Sequence, residues 1–422
     1  MKNNQPFLKA IELTQEITHS IWYLCQARLC PTYFIREGKM GFVNLIAFIL
    51  NFTKKSLQIE LDNFFTLTQG TNQTVSKQAF SQARQKVSPQ AFIILFQAIV
   101  NQFYQNNDFK TYRGYRLSAI DGSTVELQNT EALRNVYGYA ENTTVKVARA
   151  KVSGLYDLGN HLLIDAIIDR YDVDEEILAY RHIERLRENG LRNDLILFDR
   201  GYPSKALITR LTEAKINFVM RVSSHFIKEV NQVKSQDEIV AFWYKGQTYR
   251  IRVLKFMLSS GVEEILISSL LEPSFTIDDF MELYFKRWGI ETKYNELKHR
   301  LEIENFTGET PITVEQDFYA SMYLSNMAAL AKMDSDEQIQ ERNHDKNLKY
   351  EYQTNMNILI GKLKDRLILM ILEPSSRRRK KVLDQLMREI ARNAVPIRPG
   401  RTHPRIKKTN RDRYPMNQKK SL

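Results

Sequence analysis

The stretch Tyr284-Phe-Lys-Arg287-Trp-Gly-Ile-Glu291-Thr-Lys-Tyr-Asn-Glu-Leu-Lys298 decides how the rest of the chain is interpreted. Its numbered tyrosine, arginine, glutamate and lysine fall within an arc of about 60° if the stretch is one helix. An apolar stripe beside that arc supports the helix; it comprises Leu283, Ile290, Tyr294, Leu297 and Leu301. One carboxylate between cations is typical of a site for metal and phosphate. A solvated face with charge pairs three and four residues apart is the alternative.

Composition indicates a folded protein with room for two or three domains. The chain has 422 residues, of which 43% are apolar and 26% are charged. Its most apolar stretch, residues 41–52, is too short for a membrane span, and the first residues lack a secretory signal pattern. We therefore expect cytoplasmic residence. Cys25 and Cys30 are too few for a metal site, and we interpret them as small apolar residues.

The positive charge is concentrated at the C-terminal end. Residues 375–422 hold 16 Lys and Arg against 3 Asp and Glu, although the whole chain has a net charge of only +12. Such a tail, which begins with Arg377-Arg-Arg-Lys-Lys381, suits a polyanion such as DNA. Solvated disorder is the alternative, and a lipid surface is less favoured because no amphipathic anchor adjoins the tail.

Residues 1–110 have the apolar spacing of helices and are predicted to bind DNA ends. Within them, Ser76 is a plausible helix cap for a short segment rich in Lys, Gln and Arg, which includes Arg84. Side chains of these types contact bases and phosphates, and the segment has some features of a helix-turn-helix. An ordinary surface helix is the alternative.

The pattern changes to a mixed α/β sheet after residue 111. Three strands in series, at about 116–127, 145–155 and 161–171, are followed by a helix, the buried strand 194–199, another helix and the strand 217–222. The first strand is predicted to end in a turn at Asp121-Gly122. Short strands fill residues 223–270, and helices resume at Thr276.

Two acids are placed to do chemistry at the edge of this sheet. Asp121 and Asp199 are each predicted at the end of a strand, where ligands bind in open α/β folds. With Glu291 from the following helix, three carboxylates could converge. Oxygen donors without His or Cys select Mg²⁺ or Mn²⁺, and two such ions can hold the attacking and leaving oxygens of a phosphodiester. Ordinary turn or cap carboxylates are the alternative for each aspartate.

The motifs Ile120-Asp-Gly-Ser-Thr124, Phe198-Asp-Arg-Gly-Tyr202 and the helix with Tyr-x₂-Arg-x₃-Glu-x₆-Lys resemble, in order and spacing, bacterial insertion-sequence transposases of the DDE class. The helix signature marks one branch of that class, and Gln82-Ala-Arg-Gln-Lys-Val87 resembles a further element of the branch. The resemblance covers residues 70–330, and extends more weakly to residue 372.

The resemblance implies a ribonuclease H-like catalytic core, residues 111–222 and 271–330, with a β-rich insertion at 223–270. C-terminal helices at 331–374 and the basic tail at 375–422 follow. It implies that the three acids bind two Mg²⁺ or Mn²⁺ ions, and that Tyr284, Arg287 and Lys298 contact DNA phosphates. Simple packing is the alternative for the tyrosine. Family members stack a flipped base on an aromatic residue of the insertion, for which Trp243 is the candidate; a core tryptophan is the alternative.

The implied function is excision and reinsertion of the element by hydrolysis and strand transfer, through a hairpin at the element ends. The expected partners are double-stranded DNA, as terminal inverted repeats and as target, and a second copy of the chain in the DNA complex. No membrane partner is expected, and the DNA-bound protein would lie at the nucleoid. A nuclease that does not join ends and a catalytically idle DNA-binding protein are the alternatives.

Overall fold

The computed structural model describes residues 5–36, 38–51, 56–69, 75–105, 108–141, 145–190, 192–258 and 261–398. The chain divides into two compact units. The first comprises Met1–Gln105, Glu126–Ala148 and Leu297–Leu422, and the second comprises Asn106–Val125 and Arg149–Glu296. The second half of the basic tail, from residue 399 onward, lies outside the described residues. Within the described ranges, no helix is both long enough and apolar enough to cross a bilayer.

The helices are, in chain order, α1 (Pro6–Thr18), α2 (Ile21–Ala27), α3 (Phe42–Ile49), α4 (Leu57–Gln69), α5 (Lys77–Arg84), α6 (Gln90–Tyr104), α7 (Glu131–Tyr137), α8 (Glu175–Glu188), α9 (Lys205–Glu213), α10 (Lys228–Gln232), α11 (Ile277–Lys286), α12 (Trp288–His299), α13 (Pro311–Asn343), α14 (Met356–Leu363), α15 (Arg366–Leu372) and α16 (Ser376–Ala391). The N-terminal region is helical, as the sequence predicts.

The strands are β1 (Arg116–Glu126), β2 (Tyr139–Glu141), β3 (Lys146–Asp157), β4 (Leu162–Arg170), β5 (Asp194–Phe198), β6 (Asn217–Arg221), β7 (Asp237–Tyr244), β8 (Gln247–Met257), β9 (Glu263–Ser268), β10 (Tyr352–Gln353) and β11 (Val395–Pro396). One sheet runs in the order β4-β3-β1-β5-β6-β9-β8-β7, with β2 paired to the start of β3. The predicted strands and the helices between the later ones are present in the predicted order, but α7 and β2, which were not predicted, lie between the first two predicted strands.

The ribonuclease H-like core is confirmed by the direction of its strands. Leu158 donates to the carbonyl of Leu117, and Leu127 donates to that of Ala148, so β1 and β3 run antiparallel. β4 is antiparallel to β3, whereas β5 is parallel to both β1 and β6. Three antiparallel strands are therefore followed, through the crossover helices α8 and α9, by two parallel ones. All residues of β5 are buried, as is typical of a strand with parallel neighbours on both sides.

The β-rich insertion extends this sheet. β7, β8 and β9 form an antiparallel meander, and β9 pairs with β6 from Val219↔Ser268 to Arg221↔Leu266. The predicted strands of the 223–270 region are present, and they lengthen the main sheet at its parallel edge.

Two local predictions were wrong. β1 does not turn at Asp121-Gly122 but continues to Glu126, because β3 pairs along its length. The long predicted helix is also interrupted: α11 ends at Lys286 and α12 begins at Trp288. At the junction, Arg287 donates its N–H to Tyr284 and accepts from Ile290, both with the tighter three-residue spacing.

The first unit is built around the long helix α13, which packs against α1, α6 and α16. The first part of the basic tail belongs to this packing. α16 buries Leu383, Leu386 and Ile390 on one face and exposes the basic side chains of Arg377 and Lys380 near its start. This part of the tail is therefore an amphipathic helix rather than a solvated segment.

Candidate active site

The register between two parallel strands, continued past their last pair, makes Asp121 and Asp199 neighbours. Each pair from Arg116↔Asp194 to Ala119↔Leu197 joins residues 78 positions apart, and the same separation relates the two aspartates. Parallel neighbours at equal register are about 4.8 Å apart and project to the same face. β5 ends at Phe198, one residue before Asp199, so both carboxylates lie where its pairing with β1 has stopped. The sheet thus brings together two acids that are distant in sequence.

The main chain at Asp121 is fixed from two sides. Its carbonyl accepts hydrogen bonds from the Tyr294 hydroxyl (2.8 Å) and the Ser153 hydroxyl (3.3 Å), and its carboxylate accepts from the Gly122 N–H (2.9 Å). Tyr294 comes from α12, the helix that carries Glu291. These bonds hold the first aspartate in place relative to that helix.

A buried chain of polar groups supports the Ser153 contact. His182 Nε2 lies 3.0 Å from the Ser153 hydroxyl, and His182 Nδ1 lies 2.6 Å from Asp165, which also accepts from Arg185. Burial alone would raise the pKa of Asp165, but His182 and Arg185 outweigh burial and hold it below its ordinary value. The connectivity is that of a hydrolase triad, yet Ser153 is only 2% exposed and its hydroxyl is directed to a backbone carbonyl. We therefore assign Ser153, His182 and Asp165 a positioning role.

Asp121 is in an environment that disfavours its own charge. Burial is the main reason that its pKa is raised to about 6, and the carboxylates of Glu175 and Glu291 raise it further. The N–H of Gly122 and the Arg287 guanidinium oppose this effect only in part. The carboxylate is thus close to other acids, and a bound cation would stabilise its ionised form.

Asp199 is held by the tyrosine of the signature helix. The Tyr284 hydroxyl donates to Asp199 Oδ1 over 3.1 Å, and Tyr284 is only 8% exposed. Burial raises the pKa of Tyr284 above its ordinary value; Asp199 adds to the rise, whereas Arg287 opposes it. In this arrangement the tyrosine positions a carboxylate.

Glu291 is linked to the aspartates through Arg287. The guanidinium, 4% exposed, donates through Nη2 to Glu291 over 2.9 Å and lies against the Tyr284 and Trp288 rings, 5.5 and 5.4 Å from their centres. Its Nε has no hydrogen-bond acceptor within the described residues. A buried guanidinium with a spare donor, among three carboxylates, is suited to a phosphate oxygen.

The three predicted acids all lie in the second unit, and their oxygen donors are of the kind that Mg²⁺ and Mn²⁺ prefer. Among the described residues, no group of three His, Cys, Asp or Glu side chains is arranged so that it could hold one metal ion. Arg287 holds Glu291 and Tyr284 holds Asp199 instead. Sequence reasoning did not find Glu175 or His182, because neither lies in a recognisable motif.

The remaining predicted residues have different surroundings. Trp243 is 64% exposed near the end of β7, so it is not a core tryptophan. Lys298 lies in the last turn of α12, and a phosphate contact for it stays a prediction.

Arg84 does not present its charge to solvent. It is 2% exposed, and its guanidinium donates to Gln316, Thr307, the carbonyl of Thr313 and Asp317. The prediction of a DNA contact does not fit this burial, because every contact serves to hold α5 on the start of α13. The motif that resembled a family element is, in this structure, an internal support.

A family model described as "Transposase DDE domain" matches residues 112–327, just over half of the chain. The match includes Asp121, Asp199 and Glu291 as well as the whole of the main sheet.

Two curated proteins of Escherichia coli strain K12 are similar to the chain. "Transposase InsG for insertion sequence element IS4" is 24% identical over 375 residues, which cover 83% of this chain and 81% of that protein. "Putative transposase InsZ" is 28% identical over 151 residues, which cover 34% of this chain and 48% of that protein, so the chain spans about half of InsZ. Among solved structures, a piggyBac transposase synaptic complex with hairpin DNA aligns at 12% identity with a TM-score of 0.46, over 89% of this chain and 85% of that one.

Proposed function

The chain belongs to the family of DDE transposases, and on that premise we propose that Asp121, Asp199 and Glu291 form an active site that cuts DNA and joins it to a new position. The observation that supports the proposal most is the strand register, which matches Asp121 with Asp199 when it is continued beyond its last pair. Arg287 donates a hydrogen bond to Glu291 and lies within electrostatic range of both aspartates. Half-buried carboxylates beside one spare guanidinium donor suit a site that takes up cations and a phosphodiester.

The three carboxylates would hold divalent metal, Mg²⁺ or Mn²⁺, as two ions. The donor set fits because it consists of hard oxygen atoms and because Asp121 already lies near two other acids whose repulsion a cation would relieve. When bound, the metal supplies Lewis-acid activation of the attacking oxygen and stabilisation of the leaving oxygen.

The chain's own residues orient the DNA. Arg287 offers its free Nε–H to a phosphate oxygen, and Lys298, further along α12, supplies a second positive charge to the backbone. Tyr284 holds Asp199 and reaches the phosphate only if that bond is exchanged. The exposed ring of Trp243 takes the base that is flipped out at a hairpin end.

The reaction consists of two kinds of phosphoryl transfer. In hydrolysis, a water oxygen bonds to phosphorus, the 3′ oxygen leaves with the bonding electrons, and the water proton passes to solvent. In strand transfer, the oxygen of the 3′-hydroxyl so formed bonds to the phosphorus of a phosphodiester in the complementary strand, and the 3′ oxygen of that phosphodiester leaves and takes up a proton, which gives the hairpin. A second hydrolysis opens the hairpin and restores the 3′-hydroxyl. This hydroxyl then attacks a target phosphodiester in the same way and displaces its 3′ oxygen, which gives the inserted element. The DNA partners are the element's terminal inverted repeats and the target, and two copies of the chain pair the ends. We place this activity in the cytoplasm, at the nucleoid.

The proposal is tested with a duplex that carries the inverted repeats flanking the gene, incubated with the chain, Mg²⁺ and a target plasmid. We expect cut ends and joined products from the unaltered chain, and neither from Glu291→Gln. The control is Glu282→Gln, which removes an exposed acid paired with Lys286 on α11 and should leave both products. Cleavage by Glu291→Gln at the rate of the control would refute the carboxylate site. Cut ends without joined product, even from pre-cut DNA, would favour the non-joining nuclease, and binding without cutting would favour the idle protein.

The basic tail contributes non-specific contacts to DNA or to the paired-end complex. α16 is packed in the first unit, so the informative truncation follows Arg398 and leaves that helix in place. The truncated chain should show a smaller dependence of DNA affinity on salt concentration. An unchanged dependence would refute a DNA role for the deleted residues.

A further inference from the structure

A fourth carboxylate lies beside the two aspartates. Glu175 is the first residue of α8, and its Oε1 occupies the space next to Gly122, where a Cβ would come within 2.8 Å of it. Its Oε2 lies on the side of Gly201, 3.9 Å from where a Cβ of that residue would be. Gly122 follows Asp121 directly, and Gly201 is two residues after Asp199. The Glu175 carboxylate thus lies between the two segments that carry the aspartates.

A buried hydroxyl without a partner lies in the same place. Tyr202 is 2% exposed, and within the described residues its hydroxyl has no hydrogen-bond partner. Burial raises the pKa of Tyr202 well above its ordinary value, and the nearby Glu175, Asp121, Tyr294 and Asp199 add to the rise, in that order. Buried polar groups are nearly always hydrogen-bonded. The hydroxyl of Tyr202 is therefore available to a ligand or a water molecule beside these acids.

The neighbouring acid of the same helix has a different role. Glu176 accepts hydrogen bonds from the Tyr180 and Ser204 hydroxyls, which tie α8 to the start of α9. Glu175 accepts no hydrogen bond from any described residue, although both acids lie in the first turn, where a negative charge favours the helix. Helix stabilisation explains the two acids equally well, but it does not explain why only Glu175 is directed toward Asp121.

We propose that Glu175 is a fourth carboxylate ligand of the divalent-metal site, and that glycine at position 122 leaves the space its carboxylate occupies. The inference rests on the proposed function, because it takes the metal site of Asp121 and Asp199 as given. With Glu175, the site gains a negative charge from the helix that crosses between the antiparallel and the parallel strands. The four acids of the site then come from four separate parts of the core: β1, the start of α8, the end of β5 and α12.

Mn²⁺ binding to the full chain without DNA tests the proposal, with free Mn²⁺ followed by electron paramagnetic resonance. We expect Glu175→Gln to weaken binding roughly 10–100-fold, as Asp121→Asn does, whereas Glu176→Gln keeps the affinity of the unaltered chain. Unaltered binding by Glu175→Gln together with weakened binding by Asp121→Asn would overturn the inference and leave the proposed function standing. If neither variant differs from the unaltered chain, or the unaltered chain binds no Mn²⁺, the proposed metal site fails as well.

Two alanine substitutions test the inference without removing any charge. Neither Gly122 nor Gly201 has a positive φ, so alanine is compatible with both backbones. Gly122→Ala places a methyl group 2.8 Å from the Glu175 carboxylate and must displace it, whereas Gly201→Ala makes an ordinary contact at 3.9 Å. We expect weaker Mn²⁺ binding from the first variant only. Combining Gly122→Ala with Glu175→Gln should add no further loss, since both act on one group. Equal affinities of the two alanine variants would contradict the proposal.

Discussion

Replacing Arg84 by methionine should destabilise the first unit without weakening its contacts to DNA. Methionine keeps most of the apolar stem but removes four hydrogen bonds, among them those to Gln316 Oε1 (2.6 Å) and Asp317 Oδ1 (2.6 Å). Breaking a buried ion pair on one side costs about 3–5 kcal/mol. Asp317 keeps the N–H and hydroxyl of Thr307 as donors, so the lower end of that range applies, and we expect a loss of about 3 kcal/mol in the free energy of unfolding.

Urea denaturation followed by far-UV circular dichroism measures this loss, because the first unit is mainly helical. The matched control is Lys77→Met, which removes one positive charge from the exposed face of the same helix. Its free energy of unfolding should change by less than about 0.5 kcal/mol. The reasoning is refuted if Arg84→Met and Lys77→Met are equally stable. A loss of DNA affinity in folded Arg84→Met, greater than that of the control, would instead support the phosphate contact predicted from the sequence.

Three further predictions concern the supports of the aspartates. Asp165→Asn should lower the free energy of unfolding by about 3 kcal/mol at neutral pH. Because the folded pKa of Asp165 is depressed, the carboxylate stabilises the fold above its unfolded pKa, and this stabilisation should vanish as the pH falls through the folded pKa. Denaturation at a series of pH values measures the change. Ser153→Ala should slow cleavage roughly tenfold at unchanged DNA affinity, and an unchanged rate would remove its positioning role. Tyr284→Phe should likewise slow cleavage with DNA affinity retained, since its hydroxyl bonds to Asp199; a loss confined to DNA binding would show that it contacts phosphate.

The sheet could be predicted from the sequence because its strands are strongly marked. The predicted strand 194–199 is short, mostly apolar and followed by turn residues, and the structure has a strand over Asp194–Phe198, one residue shorter. The Asp-Gly dipeptide at 121 failed as a turn signal, because the pairing of β1 with β3 overrides a local preference. The break in the helix at Arg287 could not be predicted from the sequence either, because a tightened turn leaves the helical spacing of apolar residues almost unchanged.

The supports of the site depend on contacts between residues far apart in the chain. The partners of Arg84 lie more than 220 positions away, so no local pattern distinguishes its burial from an exposed phosphate contact. Glu175 has the sequence context of an ordinary acid in a first helical turn. Its proximity to Asp121 becomes evident only in the structure, where the Glu175 carboxylate occupies the space beside Gly122. The acids could therefore be predicted from motifs, whereas what positions them required the fold.

The central claim is that Asp121, Asp199 and Glu291 bind the same metal site, and exchanging each for cysteine tests it most directly. Thiolate ligands favour softer ions over Mg²⁺. We predict that each cysteine variant fails to cut the inverted-repeat DNA in Mg²⁺ and recovers cleavage in Mn²⁺, while Glu282→Cys cuts equally well in both ions. Cleavage in Mg²⁺ by any of the three variants at the rate of the unaltered chain would contradict the account.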